Sequence, residues 1–178
     1  MSFLIIATSL NPQSRSRIMA KEAQNALKEQ DEDVVFVDLF KCPLPICDGQ
    51  SVYETPEVQN FSETVRNAQG ILLAVPIYNY DANAAAKNLV ELTGDAWKEK
   101  VVGFICAAGG NSSYMSVMGL ANSLMLDFRC LILPRFVYAT GKSFKEGALI
   151  DGEVKNRLAE LAKGIVWLSR VTACPRSV

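Results

Sequence analysis

Apolar residues along this chain follow two rhythms. Unbroken runs rich in branched side chains occur at residues 3–8 ("FLIIAT"), 33–40 ("DVVFVDLF"), 70–78 ("GILLAVPIY"), 100–108 ("KVVGFICAA") and 130–139 ("CLILPRFVYA"). Runs of this length without polar alternation predict strands buried on both faces. Between them the spacing changes to that of a helix. Residues 14–29, "SRSRIMAKEAQNALKE", bring Ile18, Met19, Ala23, Ala26 and Leu27 together at helical intervals. Four more helices are predicted, near residues 57–68, 83–94, 115–126 and 153–170. Pro76 is expected to end the third strand, because proline has no N–H to give a sheet ladder.

Strand and helix alternate five times. Parallel strands need crossovers, so this order predicts a doubly wound α/β domain over residues 1–178, with helices on both faces of a five-stranded parallel sheet. No internal repeat or linker divides the chain. In such sheets ligands sit beyond the carboxyl ends of the strands, where the strand order reverses. With strand order 2-1-3-4-5, the loops after the first, third and fourth strands share one crevice. Those loops, "TSLNPQSRS", "PIYNYDAN" and "AAGGNSSY", are the three of unusual composition.

The first loop leads straight into a helix, and a helix N-terminus offers free N–H groups and positive potential to an anion. It lacks both GxGxxG and GxxxxGK[ST], which argues against a dinucleotide pyrophosphate or a magnesium-bound triphosphate. Its short donors Ser9, Asn11, Ser14 and Ser16, with Arg15 and Arg17 nearby, suit one terminal phosphate held without metal. A polar turn with an N-cap serine would have the same composition. The second loop adds a proline-stiffened aromatic segment, Pro76, Ile77, Tyr78, Asn79 and Tyr80, fit to meet a planar ring. The third, from Gly109 and Gly110 through Asn111 and Ser113 to Tyr114, lets backbone approach a ligand closely.

Composition narrows the chemistry. The formal charge is −1, without the basic excess typical of nucleic-acid or membrane-surface binding. No apolar run approaches the roughly 20 residues that span a bilayer, and "MSFLIIATSLNPQ" has no basic region of a signal peptide. A cytoplasmic location is the expectation. The five cysteines form no CxxC pair, and "CPLPIC" at 42–47 has no second pair to complete a zinc site. Cys174 near the end of the chain is expected to be exposed. There is no histidine at all, which removes the Ser-His-Asp and Cys-His triads and nearly every catalytic zinc site.

Taken together, "IIATSLNPQSRS", "VPIYNYDANAAAKNLVEL" and "AAGGNSSY" resemble the GSxRxxS phosphate loop, the P-x-Y-N segment and the third loop of the NAD(P)H-dependent FMN reductases, within the flavodoxin-like superfamily. The resemblance covers essentially the whole domain. Carried over by position, it implies that Ser9, Leu10, Asn11, Ser14, Arg15 and Ser16 surround an FMN phosphate. Pro76 to Asn79 would lie along the isoalloxazine and its ribityl chain, with Tyr80 beside them, and Gly109 to Tyr114 would meet the pyrimidine end of the ring. Thr8 and Tyr80 stand where the family usually has glycine, and Asn11 where it often has arginine. FMN and NADPH or NADH are the implied cofactors, with no catalytic side chain and no metal, and a small-molecule electron acceptor as partner. Electrons would pass from the nicotinamide to the flavin and on to free flavin, a quinone or a similar acceptor. The alanine-rich helix near residues 81–92 implies a homodimer or homotetramer. A non-enzymatic electron carrier, or a domain that has lost its cofactor, would share this fold, although carriers are typically far more acidic than −1.

Overall fold

A computed structural model describes residues 2–173; Cys174 lies outside them. The strands are β1 (Phe3–Ala7), β2 (Val34–Asp38), β3 (Gly70–Tyr78), β4 (Asp81–Ala82), β5 (Val101–Ala108), β6 (Leu131–Ile132), β7 (Val137–Thr140), β8 (Phe144–Lys145) and β9 (Ala148–Leu149). The principal helices are α1 (Arg15–Lys28), α2 (Pro56–Asn67), α3 (Ala84–Thr93), α4 (Met118–Phe128) and α5 (Gly152–Ala173). None of them is long and apolar enough to cross a membrane.

The sheet runs β2-β1-β3-β5, and both β6 and β7 continue it beside β5, all in parallel. This is the predicted flavodoxin-like order with its last strand divided. Residues 130–139 do not form one strand, because Pro134 and a left-handed Arg135 (φ 60°) interrupt the ladder between β6 and β7. Side chains alternate between two cores. Leu4, Ile6, Ile71, Leu73 and Val75 pack with α2, α3 and α4. Phe3, Ile5, Leu72 and Ala74 pack against α1 and α5. Each inner strand thus buries both faces, which is why no polar position interrupts it.

Register puts three strand ends level. Ala7 pairs with Ala74, and two residues on Pro76 pairs with Ala107. β3 spans the predicted Gly70–Tyr78, but Pro76 does not end it as expected. The parallel ladder explains how. Thr8 N donates to Ala74 O at 3.0 Å, so the next rung would run from residue 76 to Thr8 O. Proline has no N–H there, and Asn83 Nδ2 donates to Thr8 O instead, at 2.9 Å. Asp81 and Ala82, expected to open the third helix, form β4 and pair antiparallel with Tyr78 and Ile77. The fourth helix begins at Met118 rather than near 115, after a 3-10 turn over Asn111–Val117.

Candidate active site

Beyond the carboxyl ends of β1, β3 and β5 lies an open cleft of about 690 Å³, built from all three predicted loops. One end of it belongs to the segment between β1 and α1. Ser14 is the N-cap of α1: its Oγ accepts from Arg17 N at 3.2 Å and sits 2.9 Å from Ser16 Oγ. Ser14 O takes Ile18 N, so the N–H groups of Arg15 and Ser16 have no intrahelical acceptor. Asn11 closes an Asx turn through Oδ1 to Gln13 N at 2.9 Å. The first turn of α1 carries no acidic residue that would repel an anion.

What orients this loop is Arg17, which faces away from the cleft. Its Nη2 donates to Ser9 O at 2.7 Å, and its Nη1 to Asn11 O at 2.7 Å and Pro12 O at 3.2 Å. Its Nε lies 2.8 Å from Asp38 Oδ2 at the end of β2, and its guanidinium covers the Phe40 ring at 5.2 Å. Arg17 and Asp38 are only 8% and 7% exposed. Three carbonyl dipoles are thereby drawn to the back of the loop, which removes negative potential from its front.

The other end is made differently. Asn79 (φ 50°) and Tyr80 (φ 63°) form the two-residue turn between β3 and β4, both in the left-handed region where glycine is favoured. Tyr80 is 66% exposed and reaches across to the third loop, Oη to Ser112 Oγ at 3.1 Å. Opposite, Gly109 and Gly110 present bare backbone; a Cβ at either would project into open space. Gly110 O accepts from Tyr138 Oη. Burial, above all, pushes the Tyr138 phenol above its usual range, so it stays protonated as that donor.

Ser9, Asn11, Ser14, Arg15 and Ser16 line the cleft, as do Pro76, Ile77, Tyr78, Asn79 and Tyr80. Gly109, Gly110 and Ser113 complete the sequence-predicted part of its wall. Three predicted residues do not line it. Leu10 stands in solvent, 55% exposed, on the outer side of the loop. Asn111 is exposed at the start of the 3-10 turn. Tyr114 stacks on Phe136 (4.9 Å) and meets Tyr138 edge-on (5.5 Å), so it supports the third loop rather than facing the cleft. Sequence reasoning missed Gln13, Ala107 and Ala108 in the wall, although the end of the fourth predicted strand already pointed to the two alanines.

It also missed the clamp behind the wall. Thr8 is fully buried, and its Oγ1 donates to Asn83 Oδ1 at 2.7 Å while Asn83 Nδ2 returns a bond to Thr8 O. Thr8 therefore ties the first loop to the start of α3.

Among the described residues, the cleft wall contains no carboxylate, thiol, amine or imidazole. Nor is any cluster of His, Cys, Asp and Glu among them arranged to hold a metal ion. The wall offers hydroxyl, amide and guanidinium donors on the first loop, and tyrosine rings and bare glycine backbone on the other two. That set of groups is suited to gripping a ligand with an anionic and a planar part.

Comparison with known proteins gives the same class. Residues 1–145 match the family described as NADPH-dependent FMN reductase. The chain is 32% identical over 140 residues to an NAD(P)H-dependent FAD/FMN reductase of Geobacillus thermodenitrificans, covering 76% of this chain and 75% of that one. It is 27% identical over 162 residues to an NAD(P)H:quinone oxidoreductase of Solanum tuberosum, covering 84% and 83%. The fold matches that of FerB, a flavoenzyme NAD(P)H:(acceptor) oxidoreductase from Paracoccus denitrificans, with a TM-score of 0.77 at 16% identity over 96% and 97% of the two chains. The chain belongs to the NADPH-dependent FMN reductase family. It is a flavin-dependent oxidoreductase that uses FMN and a reduced nicotinamide.

Proposed function

We propose that the 690 Å³ cleft is the FMN site and that the acceptor is a small planar molecule, free flavin or a quinone. The observation that carries this reading is the first loop. Its carbonyls are drawn back by Arg17, and Arg15 and Ser16, whose N–H groups have no helical acceptor, line the cleft with Ser9 and Ser14. That arrangement fits a phosphate dianion.

When bound, FMN supplies the redox chemistry, taking two electrons from the nicotinamide and handing them to the acceptor. The chain's own work is positional. Serine hydroxyls and backbone N–H groups fix the phosphate, and with it the far end of the cofactor. Pro76 to Tyr78 continue β3 and so present a rigid edge to the ring. Gly109 and Gly110 keep the opposite wall low, which leaves room for donor and acceptor to stack in turn. Good orientation of two reacting rings is itself worth up to about 7–11 kcal/mol, so no acid or base is required of the wall.

The test is anaerobic. The protein is mixed with one equivalent of FMN, NADPH or NADH is added, and oxidised-flavin absorbance is followed. Bleaching well above the rate of free FMN, followed by recovery on adding a quinone or excess flavin, is expected. Bound FMN that stays oxidised would contradict the reductase reading, and failure to bind FMN would remove the site.

A further inference from the structure

Where the sheet edge breaks between β6 and β7, it meets α5 around a pocket of about 270 Å³. This pocket shares no lining residue with the 690 Å³ cleft, so nothing about it depends on the flavin reading. Its floor is apolar: Leu133 and Leu161 are buried there, and Leu168 is half-buried beside them. Gly164 keeps that floor low. A Cβ in its place would stand 2.9 Å from Leu133 Cδ2, so the edge packs directly on the helix backbone. Trp167 forms a wall and is 65% exposed, which leaves ring surface to offer a ligand.

The rim is charged, and cations outnumber anions. Arg135 follows Pro134 at the break in the edge and holds φ 60°, a region that side chains other than Asn, Asp and His seldom adopt. Backbone strain of this kind is typical of ligand clamps, and here it sets an arginine on the pocket rim. Arg157, half-buried on α5, is steadied by its Nη2 donating to Phe136 O at 3.2 Å, and its remaining N–H groups are left to other acceptors. Among the described residues neither arginine forms an ion pair. Glu160 is the single carboxylate of the wall.

We propose that this pocket binds a small aromatic carboxylate, with its ring against Trp167 and the leucines and its carboxylate on Arg135 and Arg157. Charge complementarity selects the acid: two guanidiniums without carboxylate partners present forked donors that match a carboxylate, and one glutamate does not cancel them. The indole and the leucine floor select the ring. The volume is just under the roughly 300–1,000 Å³ of drug-sized sites, which suits one ring on a short chain.

Calorimetric titration of the full chain with 3-phenylpropionate and with the uncharged 3-phenylpropionamide tests this. The acid is expected to bind with a Kd of about 1 mM or tighter, and the amide at least about tenfold more weakly. Arg135→Gln should weaken the acid by about tenfold, and Glu160→Gln should tighten it by about twofold to fivefold, while the amide responds to neither. Trp97 is fully buried, so a change in indole emission on adding the acid reports Trp167 and should vanish in Trp167→Phe. Saturating FMN should leave the affinity for the acid unchanged.

No binding below about 10 mM, equal affinity for acid and amide, or a wild-type response in Arg135→Gln overturns the proposal. So does competition with FMN, which would assign the acid to the first loop instead. Self-association that Trp167→Glu abolishes and the acid does not affect would make the pocket a contact between copies of the chain, and the proposal would fall with it.

Discussion

The two ends of the cleft are held by opposite means. At the first loop the holding groups are buried: Arg17 makes three bonds to carbonyls and an ion pair with Asp38, both residues under 10% exposed. At the second and third loops the holding groups are wet. Tyr80 sits on a left-handed turn and reaches Ser112 through solvent-exposed hydroxyls. Buried hydrogen bonds to a charged group are costly to break, whereas an exposed hydroxyl pair exchanges readily with water. On the proposed reading, the phosphate end is therefore organised before a ligand arrives. On the same reading the ring end, where donor and acceptor would alternate, keeps a side chain that can move aside.

Variants of each end put this contrast at risk. Arg17→Met carries the largest expected effect, because it strands three loop carbonyls and leaves the Asp38 carboxylate buried without its partner. Breaking one side of a buried pair costs about 3–5 kcal/mol, and chemical denaturation should register a loss of that order. FMN affinity should fall with it. A stable Arg17→Met protein with unchanged FMN affinity would mean that the back of the loop does not shape its front.

Asn83→Ala comes next. It removes the stand-in for the missing Pro76 donor and leaves Thr8 O unsatisfied. A loss of about 1–3 kcal/mol is expected, together with weaker FMN binding, since Thr8 joins both loops. The double variant Thr8→Gly/Asn83→Ala should lose less stability than the sum of the two single variants if the two act as one clamp.

Tyr80→Gly should scarcely change stability. Relief of a left-handed residue, about 1–2 kcal/mol, is offset by the greater chain entropy of glycine, about 0.5–1 kcal/mol. Its effect should appear in turnover: KM for bulky acceptors falls while FMN affinity holds. The smallest effect belongs to Ser112→Ala, within about 0.5 kcal/mol, with a fractional gain for the same acceptors. If Tyr80→Gly instead lost FMN, the ring end would hold the cofactor no less firmly than the phosphate end, and the contrast would collapse.

Much of this architecture is legible in the sequence, for a physical reason. Strands such as β1 and β3 are buried on both faces, so their apolar runs are continuous and cannot be mistaken for amphipathic surface. The loops stand out because they gather short donors, glycines and aromatics where a strand ends. Features that escape a sequence reading are those whose partners are distant. Nothing near Arg17 marks it as a partner of Asp38, and nothing near Pro76 shows that Asn83 replaces its donor. The β3–β4 turn is hidden because Asn79-Tyr80 lacks the glycine that usually announces two left-handed residues. Tyr114 resembles a site residue because it closely follows Gly109 and Gly110 in the chain, but Phe136 and Tyr138 claim its ring.

The central claim is that the first loop holds a phosphate and thereby the flavin. Riboflavin has the ring and ribityl chain of FMN without the phosphate, so titrating the protein with each separates the two ends of the cleft. The account predicts FMN bound at least about a hundredfold more tightly than riboflavin, roughly 2.7 kcal/mol. Equal affinity would contradict it and leave "TSLNPQSRS" a well-braced turn with nothing to hold.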